Sequence, residues 1–193
     1  MEALKPIDLI VLLALALMVV VGYIQGVPRR LFGIAAIIFA LLVAAQLRGP
    51  LGAYLAHEWN QIVPSYSYMV AFGALFLAGA IALSLGIQLT YQSAPLIKRW
   101  PVVDEVLGGV FGFIEGVIIL IAIFMILDPY FSTVKVAGSG EFGPLRWLSQ
   151  SLEGSLTASL MRETFVPWFL ALLGGLFPAD VVRTFATLLV ART

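Results

Sequence analysis

Residues 106–127 read VLGGVFGFIEGVIILIAIFMIL, 22 residues in which the one ionisable side chain is Glu115. An α-helix rises 1.5 Å per residue, so a stretch of this length covers about 30 Å, the thickness of a bilayer's hydrocarbon core. Three earlier stretches have the same character: Ile7–Ile24, Leu31–Leu47 and Tyr66–Tyr91, each free of charge in its interior. The reading is an all-α integral membrane protein. A four-transmembrane-helix bundle occupies residues 1–130, and an amphipathic, membrane-associated tail with interfacial helices occupies residues 131–193.

Composition supports lipid as the solvent. The chain is 61% hydrophobic and 11% charged, against about 25% charged residues in a soluble domain, so a water-soluble fold would expose large apolar patches. The formal net charge is zero, which supplies no basic surface for nucleic acid. Without cysteine, and with His57 as its one histidine, the chain offers neither a disulfide framework nor a multi-histidine metal site. No cofactor is expected. Ile7–Ile24 reads as a retained span and not as a signal peptide, because Glu2 and Asp8 stand against Lys5 and the apolar run exceeds the roughly 7–15 residues of a signal's core.

Gly26-Val27-Pro28-Arg29-Arg30 is short enough to force the first two helices into a tight hairpin, with Pro28 suited to a first helical turn. The stretch Arg48–Ser65 reads as a longer loop broken by Gly49-Pro50 and Pro64, and Ser93–Glu105, with Pro95, Lys98, Arg99 and Pro101, as a polar connector. After Asp128-Pro129, Gly138–Gly143 with Pro144 reads as a flexible joint. Leu148, Leu152, Leu156 and Leu160 then recur every four residues, which places them on one face of an interfacial helix, toward acyl chains or toward the bundle. Phe165–Phe177, 13 residues interrupted by Pro167 and Gly174-Gly175, reads as re-entrant or interfacial, being too short to span alone. Val181, Val182, Phe185, Leu188 and Leu189 form a second amphipathic stripe behind Asp180; a fifth span through this region would have to carry Asp180 and Arg183.

Helices associate in lipid through close backbone approach, which small residues permit. Gly22 and Gly26 close the first span, Ala36, Ala40 and Ala44 line the second, Ala74, Ala78, Ala82 and Gly86 the third, and Gly108, Gly112 and Gly116 the fourth. Glu115 lies among these glycines at mid-depth, where a charge is costly unless protonated or paired with a base. It either fixes helix register or belongs to a substrate or proton pathway. The hexapeptide Gly22-Tyr23-Ile24-Gln25-Gly26-Val27 matches Gly112-Phe113-Ile114-Glu115-Gly116-Val117 position for position. With four spans the two lie in one leaflet, so Gln25 and Glu115 are expected to approach each other with Arg29 or Arg30 at the mouth. Asp104 and Glu105 are placed to favour the N-terminal end of the fourth helix.

The start Ile7-Asp8-Leu9-Ile10, the Gly22-x-x-x-Gly26 ending and the run Asp104-x-x-Leu107-Gly108-x-x-x-Gly112-x-x-x-Gly116 resemble the colicin V production protein (CvpA-like) family over roughly residues 5–130. Where that family often carries arginine just before the second glycine of each motif, this chain has Gln25 and Glu115, with Arg29 and Arg30 in the loop as substitutes. The resemblance implies a bacterial inner-membrane protein linked to bacteriocin production or export and to envelope homeostasis. No convergent nucleophile, base or metal cluster suggests an enzyme. The residues leave two functions open: an accessory scaffold, and an oligomeric channel or transporter subunit using Glu115. Expected partners are the lipid bilayer and further copies of the chain or other membrane proteins. Arg29, Arg30, Lys98 and Arg99 in the two short connectors equal in number Lys5, Arg48, Lys135 and Arg146 near the helix ends of the opposite side; the shorter segments tip the reading to cytoplasmic connectors, with the N-terminus and tail outside.

Overall fold

The computed structural model describes residues 5–59, 62–90, 101–136, 138 and 140–190. Among the described residues the regular elements are all helical, and four helical stretches are long and apolar enough to cross a membrane: Pro6–Glu58, Pro64–Leu89, Val102–Phe131 and Leu156–Leu176. The all-α membrane fold expected from the sequence holds.

The first two expected spans are two helices, here the two limbs of α1 (Pro6–Glu58), joined by a chain reversal at the non-helical Gly26, where φ is 74° and ψ is 174°. Only glycine takes that conformation without strain. Contacts with α3 (Pro101–Phe131) give the direction of each limb. Going backward along the first limb, Gly22, Met18 and Leu15 meet Gly108, Gly112 and Gly116 in turn; going forward along the second, Val27 meets Asp104 and Gly33 meets Glu115. The limbs are therefore antiparallel, and the expected hairpin is made with a single-residue reversal.

Gly49-Pro50 does not end the second limb, which continues to Glu58. Pro50 has no N–H to offer the carbonyl one turn earlier, but tertiary contact overrides that loss. Gly52 lies beneath the Tyr68 ring, so close that a Cβ there would sit 2.8 Å from the ring's Cγ. Tyr68 belongs to α2 (Pro64–Thr90), which runs back along the second limb so that Gly79 faces Ala40. The connector residues Pro95, Lys98 and Arg99 lie outside the described residues. Pro101, expected in that connector, instead opens α3, where its missing N–H costs nothing.

The small-residue ladders divide. Ala36, Ala40 and Ala44 are buried as expected, but Ala74, Ala78, Ala82 and Gly86 face outward. The inward face of α2 carries Tyr66, Met69, Phe72 and Phe76, whose larger area outweighs what alanine contacts would contribute. Outward positions elsewhere are apolar, including Leu9, Leu13 and Leu17 on the first limb, Leu77, Ile81 and Leu85 on α2, and Val106, Val110 and Phe113 on α3, as a lipid-facing surface requires.

Two ends of the bundle follow: a turn end at Gly26 and Asp104, and a tail end at Asp8, Arg48, Tyr66 and Asp128. The tail packs on the second. The expected flexible joint is instead held by Arg146 of α4 (Gly143–Leu152), which donates to the carbonyls of Val134, Lys135 and Val136, forms a two-point ion pair with Glu141, and stacks 5.3 Å above the Phe131 ring. The Tyr130 hydroxyl also donates to Glu141, and Tyr66 accepts from the Phe142 N–H at 2.7 Å. Hydrogen bonding from Arg146 holds the Glu141 carboxyl at about 2, against the contrary effect of burial. A carboxyl whose pKa is lower folded than unfolded contributes stability above its ordinary value of 4.5, and loses it as pH falls from there through about 2. Pepsin cleavage within residues 134–146 is therefore expected to rise across that window. In Glu141→Gln the segment should already be cut readily at the top of that window, and its cleavage rate relative to an unfolded reference peptide should no longer change with pH.

The leucine stripe is split for a local reason. After α4 the chain turns at Gly154 (φ 68°), and a new helix, α5 (Leu156–Leu160), starts from the Ser155 cap. Leu148 and Leu152 pack on the bundle, whereas Leu156 and Leu160 are exposed. Past α5 the helix widens by one turn at Met161–Phe165, just before Pro167, which cannot donate to the regular ladder. It then continues as α6 (Val166–Leu173) and a tight turn, Gly174–Leu176. This stretch is long enough to cross a bilayer, contrary to the 13-residue estimate, yet both of its ends are tied to the same end of the bundle. Leu156 and Thr157 bind Asp8, and the Leu176 carbonyl accepts from Gln46. It lies across the bundle end, with Trp168, Leu172 and Leu176 outward, in the manner of an interfacial helix. The last helix, α7 (Ala179–Val190), buries Val181 and Phe185, and Asp180 pairs with Arg48.

Candidate functional site

At the turn end, α3 and the first limb touch backbone to backbone. A Cβ on Gly22 would stand 3.0 Å from the Gly112 Cα, and one on Gly108 would stand 2.9 Å from the Gly26 Cα. One turn deeper, a Cβ on Gly116 would meet Leu15 Cδ2 at 2.8 Å. The glycines of both hexapeptides thus serve one interface. Asp104 closes it from above by accepting the Val27 N–H at 3.4 Å. It therefore caps the second limb of α1, in addition to sitting in the first turn of its own helix.

Room for Glu115 is made on the second limb, by Gly33. Gly33 has no Cβ where the carboxylate lies, since one would stand 2.7 Å from Oε1. There Arg30 Nη1 donates to Glu115 Oε2, with Arg30 6% and Glu115 9% exposed. Of the two states open to a mid-depth acid, the structure adopts pairing with a base. The partner is Arg30, not Gln25; the two hexapeptides touch at Gly22 and Gly112, and Gln25, Arg29, Arg30, Gly33, Ser84, Gln88 and Glu115 all line one cavity of about 230 Å³. Leu17, Met18, Val21 and Ile87 form its apolar wall. Arg30 Nε is buried and has no hydrogen-bond partner among the described residues.

Among the described residues three more acids are buried in the bundle, and each is engaged. Asp8 accepts from the Lys5 and Thr157 backbone N–H groups at 2.9 Å and from Thr157 Oγ1 at 2.7 Å, so it caps α5 from the far end of the chain. Asp128 takes a two-point pair from Arg162 at 2.8 and 2.7 Å, with the guanidinium 5.3 Å above Phe124. Asp104 accepts the Val27 N–H. Sequence reading did not single out Gly33, Ser84, Gln88, Arg146 or Arg162; a lone arginine in a polar tail carries no signal of the carboxylate it will meet. His57 and Glu58 lie exposed at the end of α1, 3.7 Å apart. No group of three or more metal-ligating side chains occurs among the described residues.

A family model described as "Colicin V production protein" matches residues 7–152. A Haemophilus influenzae protein named "Colicin V production protein homolog" is 26% identical over 126 residues, covering 64% of this chain and 74% of the relative. No solved structure matches the chain.

Proposed function

The chain belongs to the colicin V production protein family, and from that premise we propose that it is a multi-pass, non-enzymatic scaffold of the bacterial inner membrane that supports bacteriocin production or export and envelope homeostasis. The observation that carries the scaffold reading over a conduit is the state of the buried acids. Asp8, Asp104, Glu115 and Asp128 each hold an ion pair or a backbone cap inside the chain, so each contributes to register and none is left as a free relay. A scaffold needs faces to offer, and the outward ladder Ala74, Ala78, Ala82 and Gly86 is of the kind that lets another helix, from a second copy or another membrane protein, approach closely. The packing of Arg29, Arg30, Lys98 and Arg99 into short connectors supports a cytoplasmic turn end by the positive-inside rule, against the equal number Lys5, Arg48, Lys135 and Arg146 near helix ends on the opposite side, where the tail lies.

The test is complementation in a bacterium secreting a colicin V-type peptide and lacking its own copy of the gene. The wild-type chain should restore secretion, Glu115→Gln should restore it wherever the protein accumulates normally, and Ala78→Leu with Ala82→Leu should not. Loss of secretion in a stable, normally packed Glu115→Gln protein would instead favour the channel or transporter reading, in which the acid itself acts.

A further inference from the structure

We propose that the cavity at the turn end is a binding site for the headgroup of an anionic phospholipid. Arg29, Arg30 and Glu115 all line it, and two guanidiniums against one carboxylate leave a net positive charge. The pair with Glu115 occupies one amine of Arg30, while its Nε remains buried and unpartnered among the described residues. A buried donor of this kind costs free energy unless something accepts from it. Arginine's planar fork matches phosphate oxygens, and Gln25, Ser84 and Gln88 add neutral donors around the same space.

The apolar wall selects a lipid over free phosphate. Leu17, Met18 and Val21 on the first limb and Ile87 on α2 line the same cavity as the polar groups, and Leu17 is outward-facing. An amphiphile can place its phosphate at the arginines and its first acyl carbons on this wall, as lipids do in basic pockets between membrane helices. The cavity volume of about 230 Å³ admits a headgroup and not a whole lipid, so the chains extend into the bilayer. The site is independent of the scaffold reading, because either a scaffold or a conduit can carry it.

The experiment uses the full chain in detergent, with native mass spectrometry after addition of dioleoylphosphatidylglycerol or dioleoylphosphatidylcholine. The phosphatidylglycerol adduct should survive collisional activation better than the phosphatidylcholine adduct. Arg29→Gln and Gln88→Leu, which leave the Arg30–Glu115 pair in place, should each reduce its retention, the arginine change by about fivefold, as the loss of one charge near a lipid surface implies. Both variants should elute and melt as the parent does; where one does not, the other gives the reading. Millimolar inorganic phosphate should not displace the lipid. Equal retention of the two lipids, unchanged retention in the folded variants, or displacement by inorganic phosphate would each overturn the proposal, the last by making this a site for free anions.

Discussion

Gly112→Leu is expected to abolish accumulation of the folded protein, and Gly112→Ala to lower its stability in detergent by about 1–3 kcal/mol, the range for overfilling a packed interface. The reason lies in what surrounds the position. A Cβ on Gly112 would stand 3.1 Å from both the Gly22 Cα and the Met18 carbonyl carbon, and neither is a flexible side chain that can swing aside. The two helices would have to separate, and the separation would propagate to Gly108 and Gly116 on the same seam. Gly86→Ala, at a position with nothing within 4 Å, serves as the control and should leave the thermal midpoint unchanged or raise it slightly, since alanine favours helix by about 1 kcal/mol over glycine. Thermal unfolding followed by size-exclusion chromatography reads all three.

The second large effect concerns the buried pair. Arg30→Leu or Glu115→Leu alone should each cost about 3–5 kcal/mol, because each strands the opposite charge in an apolar surrounding. The double variant should recover much of that loss, since replacing both members of a buried pair with apolar groups is often neutral. Unfolding of the four proteins in one detergent completes the cycle. If the single losses simply add in the double variant, the two side chains do not hold each other, and the assignment of Arg30 as the partner of Glu115 fails.

How much of this was legible in the sequence depends on the distance over which each determinant acts. The glycines of α3 were readable because glycine at four-residue steps opposes helix propensity, so its presence needs a packing reason. That reason proved to be a matching glycine pair near the end of the first limb. Ala74, Ala78, Ala82 and Gly86 carry the same spacing but no propensity penalty at the alanines, and aromatic side chains decided which face of α2 turned inward. The hairpin was legible from its short connector, but reversal at Gly26 alone was not, because a positive φ is a property of the fold around Asp104. Pro50 misled because a single missing hydrogen bond is weaker than the contact between Gly52 and Tyr68.

The tail shows the limit most clearly. The leucine spacing from Leu148 to Leu160 is regular across a turn at Gly154 that interrupts the helix, so periodicity survived where the element did not. Its anchors are Asp8, Arg48 and Asp128, at sequence separations of 149, 132 and 34 residues from Thr157, Asp180 and Arg162. No local pattern encodes those pairings. The candidate site was half legible: Glu115 and its neighbourhood with Gln25 and Arg30 followed from the repeated hexapeptide, whereas Gly33, Ser84 and Gln88 entered only through the fold.

The fold and the site at its turn end require the first limb of α1 to lie directly against α3 within one molecule. Because the chain has no cysteine, Tyr23→Cys with Gly109→Cys can test this in native membranes, and the Cβ positions, 3.9 Å apart, suit a disulfide. Oxidation should give an intramolecular bond in high yield, seen as a reducible mobility shift of the monomer, while Leu9→Cys with Gly109→Cys gives none. Reduced monomer only, or covalent dimers without the monomer shift, would contradict the packing and the site built on it.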